Sequence, residues 1–316
     1  MTDGDAAASG IQRHDDLALL APEQFGSPAV TVGMFDGMHR GHQHVIQHLR
    51  VLADRIRGAA VVVTFATHPL AIIRGQAPRQ ICSTNHRVTL LERAGIDHVV
   101  VLPFDNTFRH MPYDRFIREV LIDRIGMRGL LFGYDSSFGY RGEGKPATVG
   151  PLAAELGFEI VEAPAITIDG AAISSSRVRD AIAAGDLDEV AHLLGRPHTL
   201  SGPVVRGDGR GRTIGFPTAN VDLEGAMTPP PGVYQVIVLL RGQRRVAVAN
   251  LGTRPTVDPD RTVPVLEVYI PGIDFSFYGE RLDVEFVRKI RDEQKFPSVS
   301  ALVEQIEKDV ASLGLG

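Results

Sequence analysis

The chain has 316 residues, of which 44 % are hydrophobic and 22 % charged, and its formal net charge at pH 7 is -5. This length exceeds that of a usual single domain, so we expect two domains. The negative balance argues against a broad nucleic-acid-binding surface, because such surfaces carry a basic stripe.

The sequence predicts neither a secretory signal nor a membrane-spanning helix. Residues 1–16 are small, polar and acidic, unlike a secretory signal. No uncharged apolar run reaches the roughly 20 residues that a spanning helix needs. The single cysteine, Cys82, cannot form an internal disulfide and fits a reducing compartment. We therefore expect a cytoplasmic protein with no membrane segment, whose residues 1–28 form a flexible leader.

Strand and helix patterns alternate from residue 29 to residue 194. Short apolar runs typical of strands buried on both faces occur at 29–34, 59–65, 98–102, 130–132 and 158–162. Helical patterns lie between them, at 42–57, 85–94, 113–125 and 151–156. This alternation predicts an α/β domain over residues 29–196, in which a parallel sheet carries helices on both sides.

A glycine-rich turn follows the first predicted strand, where residues 33–42 read Gly-Met-Phe-Asp-Gly-Met-His-Arg-Gly-His. Glycines at a strand-to-helix turn let a nucleotide approach the backbone, and the start of the helix attracts phosphate. His39 and His42 can donate hydrogen bonds to phosphate oxygens as negative charge develops there. A histidine at a helix start is more often a cap, but this context favours catalysis. The neighbouring His44 and His48 are predicted to face solvent.

A second polar cluster, residues 173–179, reads Ile-Ser-Ser-Ser-Arg-Val-Arg. The serines suit the cap of a short helix that ends at Gly185. Arg177 and Arg179 oppose the helix dipole in its first turn, which a bound triphosphate would explain. In a doubly wound sheet, both clusters are expected at the carboxyl ends of the strands.

Together the H-x-G-H turn and the Ser-Ser-Ser-Arg-Val-Arg segment resemble the nucleotidyltransferase superfamily. The longer string over residues 33–42 is similar to the adenylyltransferase half of bacterial bifunctional riboflavin kinase/FAD synthetases. This resemblance implies a Rossmann-like domain that converts FMN to FAD and releases pyrophosphate. It implies that ATP phosphates are bound by His39, His42, Ser175 and Arg179, the histidines and Arg179 being catalytic. Further nucleotide- or flavin-binding residues implied by it are Gly33, Phe35, Asp36, Gly37, Asp135, Ser174, Ser176 and Arg177.

The pattern changes near Gly195-Arg196-Pro197, so we place the domain boundary between residues 196 and 197. β-branched runs joined by Gly- and Pro-rich turns then follow, at 233–240, 245–249, 263–270 and 281–287. They predict a small antiparallel barrel over residues 197–316. An amphipathic pattern at 298–313 predicts a final helix packed on that barrel.

The most specific segment is 207–220, which reads Gly-Asp-Gly-Arg-Gly-Arg-Thr-Ile-Gly-Phe-Pro-Thr-Ala-Asn. Its glycines can wrap a diphosphate with backbone amides, although no Walker A sequence is present. The ordered Phe-Pro-Thr-x-Asn that follows argues against a disordered linker. Thr218 and Asn220 offer two uncharged oxygens on one side of an extended segment, which suits Mg²⁺. Predicted cofactor-binding residues here are Gly207, Gly209, Gly211, Arg212, Thr213, Gly215 and Pro217.

Downstream, residues 266–270 read Leu-Glu-Val-Tyr-Ile and alternate strictly. With Leu266 and Val268 in the core, Glu267 would point away from it. Such a carboxylate is usually solvated surface. Beside a nucleotide loop it is a reasonable general base for a hydroxyl that attacks the γ-phosphate of ATP.

These C-terminal motifs, with Ala-Asn-Leu-Gly-Thr-Arg-Pro-Thr at 249–256 and Arg-Asp-Glu-Gln-Lys-Phe at 291–296, resemble bacterial riboflavin kinase. The resemblance implies a six-stranded Greek-key barrel, with Thr218 and Asn220 on Mg-ATP and Glu267 as the catalytic base. It places the 291–296 segment, and with it Arg291, near the flavin.

The main hypothesis is therefore a bifunctional enzyme that uses riboflavin, FMN, ATP and Mg²⁺, and that binds neither nucleic acid nor membrane. The oligomeric state cannot be read from the sequence. Five departures from the family pattern, Met34, Ala66, Thr67, Ser136 and Ser176, leave an alternative open. In that alternative the protein is a riboflavin kinase whose N-terminal domain is inactive or altered. A flavin- or nucleotide-binding regulator without turnover is a third hypothesis.

Overall fold

The computed structural model describes residues 10–207, 209–255, 262–273 and 277–314. Asp208 and Thr256, which belong to two of the predicted motifs, lie outside the described residues. Backbone contacts divide the chain into two compact units. The first unit contains Met1–Pro78 and Arg87–Ser174, and the second contains Arg79–His86 and Ser175–Gly316.

The first unit is built on one sheet of six parallel strands. The strands are β1 Gln12–His14, β2 Ala29–Val32, β3 Ala60–Phe65, β4 His98–Leu102, β5 Gly129–Phe132 and β6 Glu159–Glu162. Val30, Val62 and Val99 are fully buried, as expected of central parallel strands that are covered on both faces. The predicted parallel sheet is therefore confirmed.

Helices and one small hairpin complete this part of the chain. The helices are α1 Arg40–Ile56, α2 Pro69–Arg74, α3 Thr84–Arg93, α4 Asn106–His110, α5 Tyr113–Arg115 and α6 Pro146–Leu156. α5 continues as a π-helix over Phe116–Ile122. The hairpin strands are β7 Thr167–Ile168 and β8 Ala171–Ala172.

The strand order β1-β4-β3-β2-β5-β6 determines where a ligand can bind. From β2 the chain proceeds outward through β3 to β4, and then returns to the other side of β2 to form β5 and β6. The order of the strands therefore reverses between β2 and β5. In open α/β sheets, ligands bind at such a switch point, outside the carboxyl ends of the strands.

Residues 10–28 correct one expectation, because a flexible leader was predicted over 1–28. β1 pairs in parallel with β4 through Gln12↔His98 to His14↔Val100. Leu20 and Phe25 are 4 % and 1 % exposed, and both belong to the core under the sheet. A strand of three residues is too short to show a periodic pattern in the sequence. This segment is held by its backbone pairing with β4 and by the burial of Leu20 and Phe25.

The second unit contains a closed antiparallel barrel. Its strands are β9 Thr199–Val205, β10 Ala219–Val221, β11 Gly232–Leu240, β12 Gln243–Pro255, β13 Thr262–Tyr269 and β14 Arg281–Arg291, in the order β10-β13-β12-β11-β14-β9. The barrel core includes Leu200, Val236, Leu266 and Val284, each 0 % exposed. The six-stranded barrel is confirmed. The sequence pattern showed four of its strands but not β9, which contains Gly202 and Pro203, nor the three-residue β10.

Four helices accompany the barrel: α7 Ser175–Ala184, α8 Leu187–Leu194, α9 Arg210–Thr213 and α10 Val299–Ala311. The predicted C-terminal helix is confirmed as α10, and the Ser298 hydroxyl caps it by accepting the Ala301 N–H at 3.2 Å. None of the helices in the described part of the chain combines the length and hydropathy that a membrane crossing requires.

Candidate active sites

The turn after β2 has an unusual backbone. Phe35, Gly37 and Met38 have φ angles of +49°, +75° and +45°. Residues other than glycine rarely adopt this left-handed region, and each instance costs about 1–3 kcal/mol. Such strain is concentrated at functional sites, and here it turns the chain from β2 into α1.

His39 lies at the end of this turn and caps α1. Its Nδ1 accepts the backbone N–H of His42 at 3.2 Å, so in the neutral ring the proton is on Nε2. The two imidazole rings stack with their centroids 3.6 Å apart and their planes 14° apart. The cap thus fixes the tautomer that carries its proton on Nε2, which is the form that can donate to a phosphate oxygen.

Gly41 makes room for this stack. A Cβ atom at Gly41 would lie 3.1 Å from two atoms of the His39 ring and 3.6 Å from the Ile173 carbonyl oxygen. Ile173 and Ser174 are the last residues of the first unit before the Ser-Arg cluster continues. The beginning of that cluster therefore lies beside the H-x-G-H turn.

The other predicted residues of the first unit lie at the same edge of the sheet. Gly33 extends the ladder of β2 by donating its N–H to the Val63 carbonyl at 3.0 Å, and Asp36 is buried at 1 % exposure. Asp135 is exposed, has a φ of +56°, and follows β5, the neighbour of β2 across the switch point. Sequence and structure thus agree on the edge where these residues gather.

The arginines of the second cluster lie in the second unit, on α7, together with Ser175 and Ser176. The guanidinium of Arg177 donates from Nη2 to Glu189 Oε1 at 2.6 Å, and holds α7 against α8. Arg179 donates from Nε to the Arg79 carbonyl at 2.8 Å. The helix ends at Gly185, as predicted, with a φ of +74°.

His44 and His48, predicted to face solvent, are half-buried instead. Their Nε2 atoms are 3.2 Å apart on successive turns of α1, and the rings meet edge to face. Desolvation, followed by the proximity of His48, lowers the pKa of His44. Residues four positions apart are neighbours on the surface of a helix, so this spacing brings the two rings together.

The barrel carries a cavity of about 450 Å³ on the outer side of its wall. Leu266 and Val268 face the barrel core, whereas Glu267 and Tyr269 line the cavity, so the predicted orientation of Glu267 is confirmed. Predicted residues in its lining are Gly207, Gly209, Gly211, Arg212, Pro217, Thr218, Asn220, Glu267 and Arg291. Thr213 and Gly215, both described, lie outside this lining.

Strand register places three polar side chains in one row across the floor of the cavity. Glu267 on β13 pairs with Asn220 on β10 and with Asn250 on β12. Directly opposed residues share a face of the sheet and are neighbours. Asn250 is a site residue that the sequence prediction missed. The sequence indicated this residue only through its place in the 249–256 motif, because its pairing with Glu267 depends on how β12 and β13 align.

The glycine loop above this row approaches it too closely for any side chain. A Cβ atom at Gly207 would lie 2.2 Å from Asn220 Nδ2, and one at Gly211 would lie 2.3 Å from the Phe216 carbonyl oxygen. Gly209 has a φ of +69°. Glycine is therefore required at these positions for the loop to cover Asn220 and Thr218.

Arg291 also lines the cavity, where it ties β14 to α10. Its guanidinium donates to Asp309 from Nε at 3.0 Å and from Nη2 at 2.8 Å, and Asp309 is only 3 % exposed. The Arg291 guanidinium carbon also lies 5.7 Å from the centre of the Phe296 ring. The bidentate pair thus positions α10 as a wall of the cavity.

The oxygen atoms that line the cavity can be compared with the ligands that Mg²⁺ prefers. Thr218, Asn220, Asn250 and Glu267 supply hydroxyl, amide and carboxylate oxygens. Within the described ranges, no group of three or more His, Cys, Asp or Glu side chains could form a complete protein cage. Mg²⁺ is usually held by one or two protein oxygens together with water and substrate phosphates, so this donor set fits.

Comparisons with known protein families divide the chain in two. Residues 21–177 match the family model described as FAD synthetase, and residues 194–314 match the model described as riboflavin kinase. A bifunctional riboflavin kinase/FMN adenylyltransferase of Haemophilus influenzae is 39 % identical over 89 % of this chain and 92 % of its own. The Bacillus subtilis protein of the same name is 34 % identical over 92 % of each chain.

Among solved structures, one described as a macrolide-efflux protein from Streptococcus pneumoniae has a TM-score of 0.78 and 30 % sequence identity. The match covers 96 % of this chain and 98 % of that one. Both halves of the fold are therefore present in one known chain.

Proposed function

The chain belongs to the family of bifunctional riboflavin kinase/FMN adenylyltransferases, and from that premise we propose which of its residues carry each reaction. Its activities are the phosphorylation of riboflavin to FMN and the adenylylation of FMN to FAD. The efflux activity in the name of the Streptococcus structure is not transferred, since both family models and the curated relatives agree on flavin synthesis.

We assign riboflavin phosphorylation to the cavity of the barrel, and the Asn220–Glu267–Asn250 row is the observation that carries this assignment. The carboxylate of Glu267 accepts the proton of the terminal ribityl hydroxyl as the hydroxyl oxygen attacks the γ-phosphorus of ATP. The bond from the γ-phosphorus to the bridging oxygen breaks, and ADP leaves with that electron pair. The loop at 207–217 is proposed to hold the ATP phosphates against this row, because its glycines allow that approach.

For the metal, we propose Thr218 and Asn220 as the protein ligands of an Mg²⁺ ion that arrives with ATP. When bound, such an ion neutralises phosphate charge and helps to align the phosphoryl group. Thr218 and Asn220 position those phosphates beside Glu267. The wall formed by Arg291 and α10 is proposed to exclude water from the flavin side of the cavity.

For FAD synthesis, we propose that the turn at residues 33–42 binds the triphosphate of a second ATP. A phosphate oxygen of FMN attacks the α-phosphorus, and pyrophosphate leaves with the electrons of the broken bond. The Nε2–H of His39 and the ring of His42 donate hydrogen bonds to oxygens that gain charge in this step. Ser174, Ser175 and Ser176 and the Arg179 guanidinium are proposed to hold the departing pyrophosphate. Since Glu189 engages Arg177, we assign Arg177 a structural part in this scheme.

We further propose a boundary between residues 196 and 197, close to residue 194, where the riboflavin kinase match begins, and well beyond residue 177, where the FAD synthetase match ends. A cytoplasmic location is proposed as well. It is supported by the dependence on ATP and by the presence of only one cysteine in the sequence, Cys82, which is buried.

A time course with purified protein, riboflavin, Mg²⁺ and ATP tests the assignment, with FMN and FAD separated by chromatography. FMN should appear first and FAD afterwards. Adding EDTA should stop both reactions, and excess Mg²⁺ should restore them. Thr218→Ala and Asn220→Ala should raise the Mg²⁺ concentration that half-saturates FMN formation and leave FAD formation from supplied FMN unchanged. Unaltered Mg²⁺ dependence in both variants would remove them as ligands.

A further inference from the structure

Arg87 is a buried cation at the carboxyl edge of the sheet that neither proposed reaction uses. It lies on α3, in the first unit, and only 1 % of it is exposed. Its Nη1 donates to the Met34 carbonyl at 2.7 Å and its Nη2 donates to the Phe65 carbonyl at 2.9 Å. Burying a guanidinium costs free energy unless its N–H groups are hydrogen-bonded, and the two carbonyls supply such bonds.

These two carbonyls belong to adjacent parallel strands. Phe65 is the last residue of β3, and Met34 follows β2 in the turn that leads to His39. The planar guanidinium spans both strand ends, a geometry that its fixed fork of donors makes possible. Arg87 therefore fixes where the turn leaves the sheet relative to β3.

The Met34 carbonyl receives a second donor, the hydroxyl of Thr64, at 3.2 Å. Thr64 is fully buried. Two donors occupy the two lone pairs of this oxygen, so the plane of the Met34–Phe35 peptide cannot rotate without breaking both bonds. The orientation of that peptide in turn sets the φ of +49° at Phe35.

Phe35 connects the Met34–Phe35 peptide with the two histidines through ring contacts. Its ring centre is 5.1 Å from that of His42, whose ring stacks at 3.6 Å on His39. A contiguous series of contacts thus connects the Arg87 guanidinium with the two imidazoles. A small rotation at Met34 would move the imidazoles relative to the phosphates that they are proposed to bind.

We propose that Arg87 is a positioning residue for adenylyl transfer, which holds the Met34 carbonyl and through it the catalytic geometry of His39 and His42. The inference rests on the proposed roles of those two histidines. It assigns to Arg87 no contact with substrate. Its function is to keep the strained turn in the conformation in which the histidines meet the phosphates at the moment of reaction.

The experiment measures kcat and KM for FAD formation from FMN and Mg-ATP with the full chain, and uses FMN formation from riboflavin as an internal control. Arg87→Met should lower kcat for FAD formation by on the order of 10²-fold, the loss expected from a misplaced catalytic group. KM for ATP should change little, and FMN formation should be unchanged. Arg87→Lys should recover part of kcat, because an ammonium group can donate to one of the two carbonyls. Thr64→Val should produce a smaller loss of the same kind.

Leu121→Ala is the matched control for loss of stability. Leu121 is fully buried in the hydrophobic core of the first unit and is not among the residues that bond to the turn. If Leu121→Ala lowers the melting temperature as much as Arg87→Met and lowers kcat equally, the effect of Arg87 is general destabilisation and the proposal is overturned. A change confined to KM, or full activity in Arg87→Met, would also overturn it.

If Arg87→Met yields no folded protein, the Arg87→Lys and Thr64→Val variants decide the question by the same split between kcat and KM. Histidine variants separate this inference from the assignment on which it rests. Wild-type FAD formation by His39→Ala and His42→Ala would reject the catalytic roles. Inactive histidine variants together with an unaffected Arg87→Lys and Thr64→Val would reject the positioning role alone.

Discussion

Replacing Glu267 by glutamine tests the kinase assignment most directly. Glutamine has nearly the same volume and can still bond to neighbours in the row with Asn220 and Asn250. Its amide oxygen cannot take the ribityl proton. General base catalysis contributes about 10²–10⁴-fold, so kcat for FMN formation should fall by that factor. This corresponds to ~3–6 kcal/mol in activation free energy, at about 1.4 kcal/mol for each factor of ten.

The assay follows ADP release in the presence of riboflavin and Mg-ATP, with FAD formation from supplied FMN as a test of integrity. Glu285→Gln is the matched control on the same barrel. Glu285 lies on β14, where its carboxylate accepts hydrogen bonds from the exposed Arg244 guanidinium at 3.0 and 2.6 Å. Loss of such a surface pair costs ~0–1 kcal/mol, and FMN formation should be unaffected. If Glu267→Gln phosphorylates riboflavin as fast as Glu285→Gln, Glu267 is not the base.

Four other variants test further predictions of activity and stability. His39→Ala and His42→Ala should each slow FAD formation by about 10²–10³-fold and leave FMN formation intact, as chromatography of both products will show; normal FAD formation would reject the site. Burial lowers the pKa of His198 to about 4 from its usual 6.5, so the folded state binds fewer protons than the unfolded state between these values. The free energy of unfolding should therefore be highest above pH 6.5 and fall by up to ~3 kcal/mol as the pH drops toward 4. His198→Gln, followed by urea unfolding across this range, should lose that slope, and an unchanged slope would contradict the reasoning. Asp309→Ala should lower the free energy of unfolding by ~3–5 kcal/mol, because it leaves the Arg291 guanidinium without its buried partner. A melting temperature equal to that of the wild type would show that this pair adds nothing.

Predictions from local patterns agreed with the structure wherever a long run of residues carried them. The valine-rich strands β2, β3 and β4 are buried on both faces in the parallel sheet, and the alternation around Glu267 matches its orientation in the barrel. Residues 10–28 were predicted wrongly because a short strand held by the edge of β4 has no pattern of its own. Asn250 was missed because its role depends on pairing with β13.

Two arginines show the same limit for the candidate sites. The substrate-binding roles of Arg177 and Arg291 stay predictions; the structure gives each arginine a carboxylate partner in a neighbouring helix, Glu189 and Asp309, and places Arg291 in the lining of the cavity. A sequence reveals that an arginine is present near a motif. Which acceptor its long side chain reaches depends on elements that are distant along the chain.

Local sequence patterns predicted the class of both domains and the family, and both predictions are confirmed; the roles of the main site residues stay predictions. Periodicity and short motifs are local properties, so they can be recognised in the linear order of residues. Tertiary structure alone decided that Asn220, Glu267 and Asn250 form one row, and that Arg87 spans the ends of β2 and β3. Strand register and buried hydrogen bonds join residues that are far apart in the chain. Buried polar groups are usually hydrogen-bonded, and the partner can come from any element that the fold brings close.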